Sequence, residues 1–258
     1  MRILFIPDTQ VRPGVNTDHL EAAGNYMVAK KPDVVVMIGD WWDMPSLNSY
    51  ENRSSSYFHD KSYIGDIESG KEAMERFLAP LNKYNSMRKK NKKKAYTPRM
   101  VFTEGNHEYR IQRAVKEDPR LKGTIGREDF ELEKMGWEFH PFLKIIEIED
   151  ILYSHYFVNP DSLTNNPVGG TIENKLKLIG HSFAQGHQQK RQYGNRFTAP
   201  GKELHGLVCG AFYSHHEEYL GEQGDKQYWR GMVLKNEVKN GTYDPAFLSL
   251  DYLVRRWL

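Results

Sequence analysis

The chain is 258 residues long, enough to bury one substantial core, and its formal charge of +2 at pH 7 is close to balanced. With 39% hydrophobic and 27% charged residues it is composed like a globular protein, which excludes a disordered or fibrous chain. The single cysteine, Cys209, excludes an intramolecular disulfide framework and suits a reducing, cytoplasmic setting. No apolar stretch reaches membrane-spanning length, so no membrane partner is expected.

In chain order, Ile3 to Ile6 reads as a buried strand, too short for the apolar region of a signal peptide. Residues 18–30 carry Leu20, Ala23, Tyr26 and Met27 at helical spacing, and Pro32-Asp33 ends that segment. Residues 34–38 form an almost continuous apolar run, as in a central strand covered on both faces. Strand, helix and strand within about forty residues form a right-handed βαβ unit. A third strand is expected over residues 100–103 and a further helix over 108–115. An insertion or cap at 44–98 lies between the second and third strands, inside one domain spanning 1–258. It contains a helix around residues 71–84 and then the basic run Arg88-Lys89-Lys90-Asn91-Lys92-Lys93-Lys94. The later half is β-rich. Residues 144–148 and 151–153 read as paired strands around Glu149-Asp150, and 207–213 as another strand. Residues 231–234 and 246–250 read as a hairpin closed near Asn240-Gly241.

The polar residues of chemical interest sit just beyond these apolar runs. Asp8 and Gln10 follow the first strand, and Gly39-Asp40-Trp41-Trp42-Asp43 follows the second. Gly105-Asn106-His107-Glu108 follows the third, His155 follows residues 151–153, and Gly186-His187-Gln188-Gln189 comes soon after the apolar 176–179. Ligands of open α/β sheets bind beyond the carboxyl ends of the strands. Five segments thus bring Asp, Asn, His or Gln to one edge, the side chains that divalent cations select.

That order of motifs resembles the calcineurin-like metallophosphoesterase family, whose signature is Asp-x-His, Gly-Asp-x-x-Asp, Gly-Asn-His-Glu, a lone His and Gly-His-x-His. The resemblance spans residues 8–189 and implies an α/β fold: a two-layer β-sandwich flanked by helices, with two divalent cations at one edge. It further implies that Asp40 bridges the cations. Asp8, Gln10 and Gln189 would complete one site, and Asn106, His155 and His187 the other. His107 would contact the phosphoryl group or protonate the leaving oxygen, held in orientation by Asp43. The expected activity is hydrolysis of a phosphate ester, as a phosphatase or phosphodiesterase.

Two family histidines are glutamine here, Gln10 and Gln189, both in the same site. Its donors would then be all oxygen, which suits Mn²⁺ or Mg²⁺ better than Zn²⁺. Glutamine at both outer motifs resembles family members encoded by bacteriophages. His181 competes with His155 and His187 for the last two motifs, but it lacks a ligand-type residue two positions on. It is kept as a substrate-side or core histidine. Trp41 and Trp42 would stack on a base or sugar, or else pack the wall of the site. The expected partner is a phosphorylated small molecule, a nucleotide or a phosphoprotein. The six positive charges between Arg88 and Lys94 admit nucleic acid as well, and with it a nuclease, if they line a groove leading to the cations. A third reading is a non-catalytic binding module, for which the two glutamines speak and the complete Gly-Asn-His-Glu does not.

Overall fold

A computed structural model describes residues 1–50, 56–216, 223–224 and 226–258. Two sheets face each other. The first has six strands in the order β11-β10-β1-β2-β3-β4, and the second has five in the order β5-β6-β7-β9-β8. In the first, β1 (Ile3–Ile6), β2 (Val34–Met37), β3 (Arg99–Thr103) and β4 (Glu138–His140) are mutually parallel. The antiparallel hairpin of β10 (Gly231–Lys239) and β11 (Thr242–Ser249) joins them beside β1. Its two-residue turn is Asn240-Gly241, both with positive φ, the pairing that matches strand twist. The second sheet comprises β5 (Ile146–Ile148), β6 (Ile151–Tyr153), β7 (Phe183–Gln185), β8 (Arg191–Phe197) and β9 (Glu203–Cys209).

The apolar runs of β1 and β2 are explained by burial on both faces. Ile3, Phe5, Val34 and Val36 face Tyr153, Ala184, Leu207 and Cys209 of the second sheet. The alternate residues Leu4, Ile6, Val35 and Met37 face helices. On that outer side α1 (Asp18–Lys30) packs against both α2 (Tyr63–Lys90) and the C-terminal helix α5 (Leu250–Trp257). A short α3 (Arg110–Glu117) follows β3. Beyond the second sheet, α4 (Ile172–Ile179) covers Phe183, Leu204 and Val208. The expected α/β sandwich flanked by helices is thus the observed architecture. Among the described residues no helix is long and apolar enough to cross a membrane.

Three expectations about elements need correction. The apolar residues 176–179 belong to helix α4, capped by the Thr171 hydroxyl and closed by Gly180 in the left-handed region. The strand that delivers His187 is instead β7. The helix expected at 71–84 runs from 63 to 90, so Arg88, Lys89 and Lys90 are its last turn, where they complement the helix dipole. The strand expected at 207–213 lies at 203–209.

The course of α2 also decides where the basic run lies. Gly70 O accepts the Trp41 indole N–H at the carboxyl edge of the first sheet (3.0 Å), while Asn85 binds Tyr96, whose hydroxyl reaches Pro32 O just before β2. The helix therefore runs back along the sheet. Twenty residues separate Gly70 from Lys90, about 30 Å at helical rise. The basic run sits at the edge opposite the strand ends and lines no groove leading to them.

Candidate active site

The carboxyl ends of β1, β2 and β3 in one sheet, and of β6 and β7 in the other, converge. Around the Asn106 side-chain oxygen stand His187 Nδ1 at 2.7 Å and His155 Nε2 at 2.9 Å, with Asp40 Oδ2 3.3 Å from the latter. Donor atoms of Asp40, His155 and His187 all lie within 4.8 Å of one another. Asp8 adjoins them: its Oδ1 accepts the His187 backbone N–H at 3.0 Å. Gln10 adjoins through its own backbone N–H, donated to Asp40 O at 2.8 Å. Gln189 lies at the same edge, where its side-chain oxygen accepts the Tyr213 hydroxyl.

The backbone is bent to make this convergence. Asp40, Gln10 and His187 all have positive φ (53°, 41° and 63°), a region non-glycine residues rarely occupy and one that clusters at functional sites. Glu108 holds the bend. Its Oε2 accepts the N–H groups of Asp40 (2.8 Å) and Gly105 (2.9 Å), and its Oε1 that of Trp42 (2.9 Å). Gly105 is required by close approach, since a Cβ there would fall 2.3 Å from Asp40 N.

Hydrogen-bond logic shows what the cluster is built to hold. Ile38 O can only accept, so His155 Nδ1, 2.8 Å away, carries a proton. In a neutral ring Nε2 would then point its lone pair at two oxygens, Asn106 Oδ1 and Asp40 Oδ2. A positive charge belongs between these atoms. A backbone carbonyl behind a ligating imidazole is the usual support of a metal-binding histidine. Asp8 Oδ2 is fully buried with no hydrogen-bond partner among the described residues, so it too has a lone pair that a cation could take.

The titration behaviour has the same cause. Burial pushes Asp8 up to about 7, helped by the neighbouring Asp40 charge. Burial also acts on Asp40, but the charges of His155 and His107 outweigh it and hold Asp40 well below the carboxylate range. His155 rises to about 9 despite burial, because of Asp40. His187 falls to about 4 through burial and the His155 charge, so it stays neutral and able to coordinate.

His107 stands beside this cluster on a separate support. Its Nδ1 faces Asp43 Oδ1 (2.9 Å) and Asp43 O (2.8 Å), and its Nε2 lies 3.8 Å from Asp40 Oδ2. Burial disfavours the charged ring, but Asp40 and Asp43 raise its pKa above the ordinary histidine value. Asp43 is itself held at about 2, against burial, by the His107, Arg110 and Arg12 cations. Arg12 Nη1 bonds Asp43 Oδ2 at 2.9 Å. Arg110 Nη1 bonds Asp43 O and Met44 O, leaving Nη2 3.4 Å from His107 Nε2.

The motif residues Asp8, Gln10, Asp40, Asp43, Asn106, His107, His155, His187 and Gln189 thus meet at one edge, and three others do not. Trp41 and Trp42 have no exposed surface and cannot stack on a substrate. Their indole N–H groups bond Gly70 O and Ile67 O of α2, and Trp42 lies 4.3 Å from the Phe130 ring. His181 precedes β7 whereas the site follows it; it pairs with Asp150 at 3.1 Å, at the other end of the sheet. Sequence reasoning gave no role to Glu108, Arg12, Arg110, Tyr213 or Tyr156, whose ring lies 4.7 Å from that of His187. A signal existed for Arg110, three residues beyond His107 at the start of a helix, the spacing that puts two side chains on one face.

A family model described as calcineurin-like phosphoesterase matches residues 1–207. That span holds every residue of the cluster and all strands except β10, β11 and the end of β9. No curated protein matches the chain.

Proposed function

The chain belongs to the calcineurin-like phosphoesterase family, and from that premise we propose that it hydrolyses phosphate esters with two divalent cations seated at the strand ends. The observation that carries this reading is the clustering of Asp40, His155 and His187 donor atoms within 4.8 Å of one another, with both histidines on the Asn106 oxygen. Asn106, His155 and His187 would hold one cation; Asp8, Gln10 and Gln189 the other; Asp40 would serve both. The oxygen-only second set favours Mn²⁺ or Mg²⁺ over Zn²⁺. Divalent cations held there supply Lewis acidity and neutralise the charge on the phosphoryl group.

The chain's own residues do the rest. Asp43 fixes the His107 ring through Nδ1, so Nε2 faces the cluster and can deliver a proton to the departing oxygen. Arg12 and Arg110 pin Asp43 from two sides and thereby pin the histidine. The deep burial of Asp8, Asp40 and His155 excludes bulk water from the ligand side chains. A small phosphorylated molecule is favoured over nucleic acid as substrate, because the basic run lies at the far end of α2. Tyr213 favours a second reading, in which its bond to Gln189 weakens the second cation site and one cation suffices.

The test strips the protein of metal and returns Mn²⁺, Mg²⁺ or Zn²⁺ separately. An aryl phosphomonoester, the corresponding bis-ester, and labelled single- and double-stranded DNA are then assayed in parallel. Mn²⁺-dependent hydrolysis that disappears in Asp40→Asn, together with its bound metal, is the expected result. Metal titration by calorimetry counts one site or two. A folded protein silent on every substrate with every metal is instead a binding module.

A further inference from the structure

Next to Arg110 lies a cavity of about 410 Å³, lined by residues 46–49, Phe58, Lys61, Leu121 and helix α3. We propose that this cavity is the leaving-group subsite, and that it selects phosphomonoesters whose leaving portion carries its own anionic group, a carboxylate or a second phosphate. The inference rests on the phosphoesterase reading above and adds the class of substrate to it.

Arg110 is the shared wall. It lines the cavity, and its Nη2 is 3.4 Å from His107 Nε2. A phosphoryl group placed at Asp40 therefore has its departing oxygen near His107, and whatever that oxygen bears continues past Arg110 into the cavity. The size is that of a small-molecule site. Leu47, Phe58 and Leu121 give it apolar surface for a carbon skeleton or ring, while Lys61, Arg110 and Arg113 give it positive charge.

Arg113 is the residue this geometry singles out. It lines the cavity, and its guanidinium has no hydrogen-bond or ion-pair partner among the described residues. Lys61 is already engaged by Asp60 at 3.1 Å and by Tyr57 O at 2.7 Å. Arg110 is committed to Asp43 and Met44. Two acids also line the cavity, Glu117 and Asp118, but Asp118 is paired with Arg120 at 2.6 Å. A guanidinium with donors to spare receives a planar carboxylate or a phosphate in paired hydrogen bonds.

Binding of two non-hydrolysable probes, benzylphosphonate and 4-carboxybenzylphosphonate, to the Mn²⁺-loaded protein by calorimetry tests this. The carboxylate should tighten Kd at least fivefold. Arg113→Gln should erase that advantage, and Arg113→Lys, which keeps the charge, should retain part of it, with thermal midpoints confirming that both variants are folded. Equal affinity of the two probes for the wild-type protein overturns the subsite and leaves the phosphoesterase reading standing. An advantage that survives Arg113→Gln overturns the role of Arg113. Failure of both probes to bind overturns the subsite and the phosphoesterase reading together.

Discussion

Glu108 offers the sharpest test of how the site is held. Its carboxylate accepts three buried backbone N–H groups, those of Asp40, Gly105 and Trp42, between 2.8 and 2.9 Å. Glu108→Ala leaves all three without an acceptor where water does not reach. At about 1–3 kcal/mol for each buried donor left unpaired, the loss is on the order of 3–9 kcal/mol. Glu108→Gln keeps one oxygen; oriented toward Asp40 and Gly105, it sets its NH₂ against the Trp42 N–H and costs about 2 kcal/mol. The ordering is therefore wild type, then Gln, then Ala. Urea unfolding of the three proteins at pH 7 without metal measures it. Because the same bonds maintain the positive φ of Asp40, divalent-cation affinity should fall in the same order. An alanine variant within about 0.5 kcal/mol of wild type, or one that loses stability with metal affinity unchanged, would refute the reasoning.

Lys235 is fully buried among the Phe5, Tyr153 and Tyr243 rings with one hydrogen bond, to the Tyr153 hydroxyl, and burial lowers its pKa from 10.5 to about 7. Between those values the unfolded chain holds more proton than the folded one, so stability rises with pH from about 7 to 10.5. Lys235→Met should stabilise the protein at pH 7 by about 3 kcal/mol, after the rings' partial offset, and the gain should vanish near pH 10.5; a pH-independent difference in urea midpoints counts against it. His107→Gln should retain bound metal yet lose about 10²–10⁴-fold in turnover of alkyl phosphates, with a smaller loss on aryl phosphates whose oxygen departs unaided. Equal losses on both would remove its role as proton donor. Gln10→His with Gln189→His should raise Zn²⁺ affinity relative to Mn²⁺, measured by competition calorimetry; an unchanged preference would mean that neither glutamine is a ligand.

What was legible in the sequence depended on how local its cause was. The strand Ile3–Ile6 and the hairpin at Asn240-Gly241 declare themselves, because burial on both faces and a two-residue turn each leave a signature in adjacent residues. The first turns of α2 were missed because Gly65 and Gly70 dilute the helical signal. Gly70 is small for a reason far away in the chain: a Cβ there would stand 1.8 Å from the Trp42 indole nitrogen. The apolar residues 176–179 are too few to distinguish strand from helix, although Thr171 and Gly180 mark both ends of one. At the site, the order of motifs brought nine residues to one edge, since each motif follows a strand and five strands end there. The groups that orient them are set by contacts across the fold. Arg12 meets Asp43 from 31 residues away and Tyr213 meets Gln189 from 24, and no spacing rule anticipates either.

Asp40 and Asn106 descend from one sheet, while His155 and His187 descend from the other. A cation seated among them would be a rivet through two layers that otherwise meet mainly by apolar contact, with a few polar bonds such as Lys235 to Tyr153. At a concentration a hundredfold above Kd it adds about 2.7 kcal/mol to the cohesion of the sandwich. The exchange runs both ways. A substitution that lets the layers slip, such as a shortened side chain at Phe5 or Tyr153 well away from the strand ends, loosens the grip on the metal as well. The seam between the sheets thereby makes metal affinity a gauge of how tightly the whole molecule is closed.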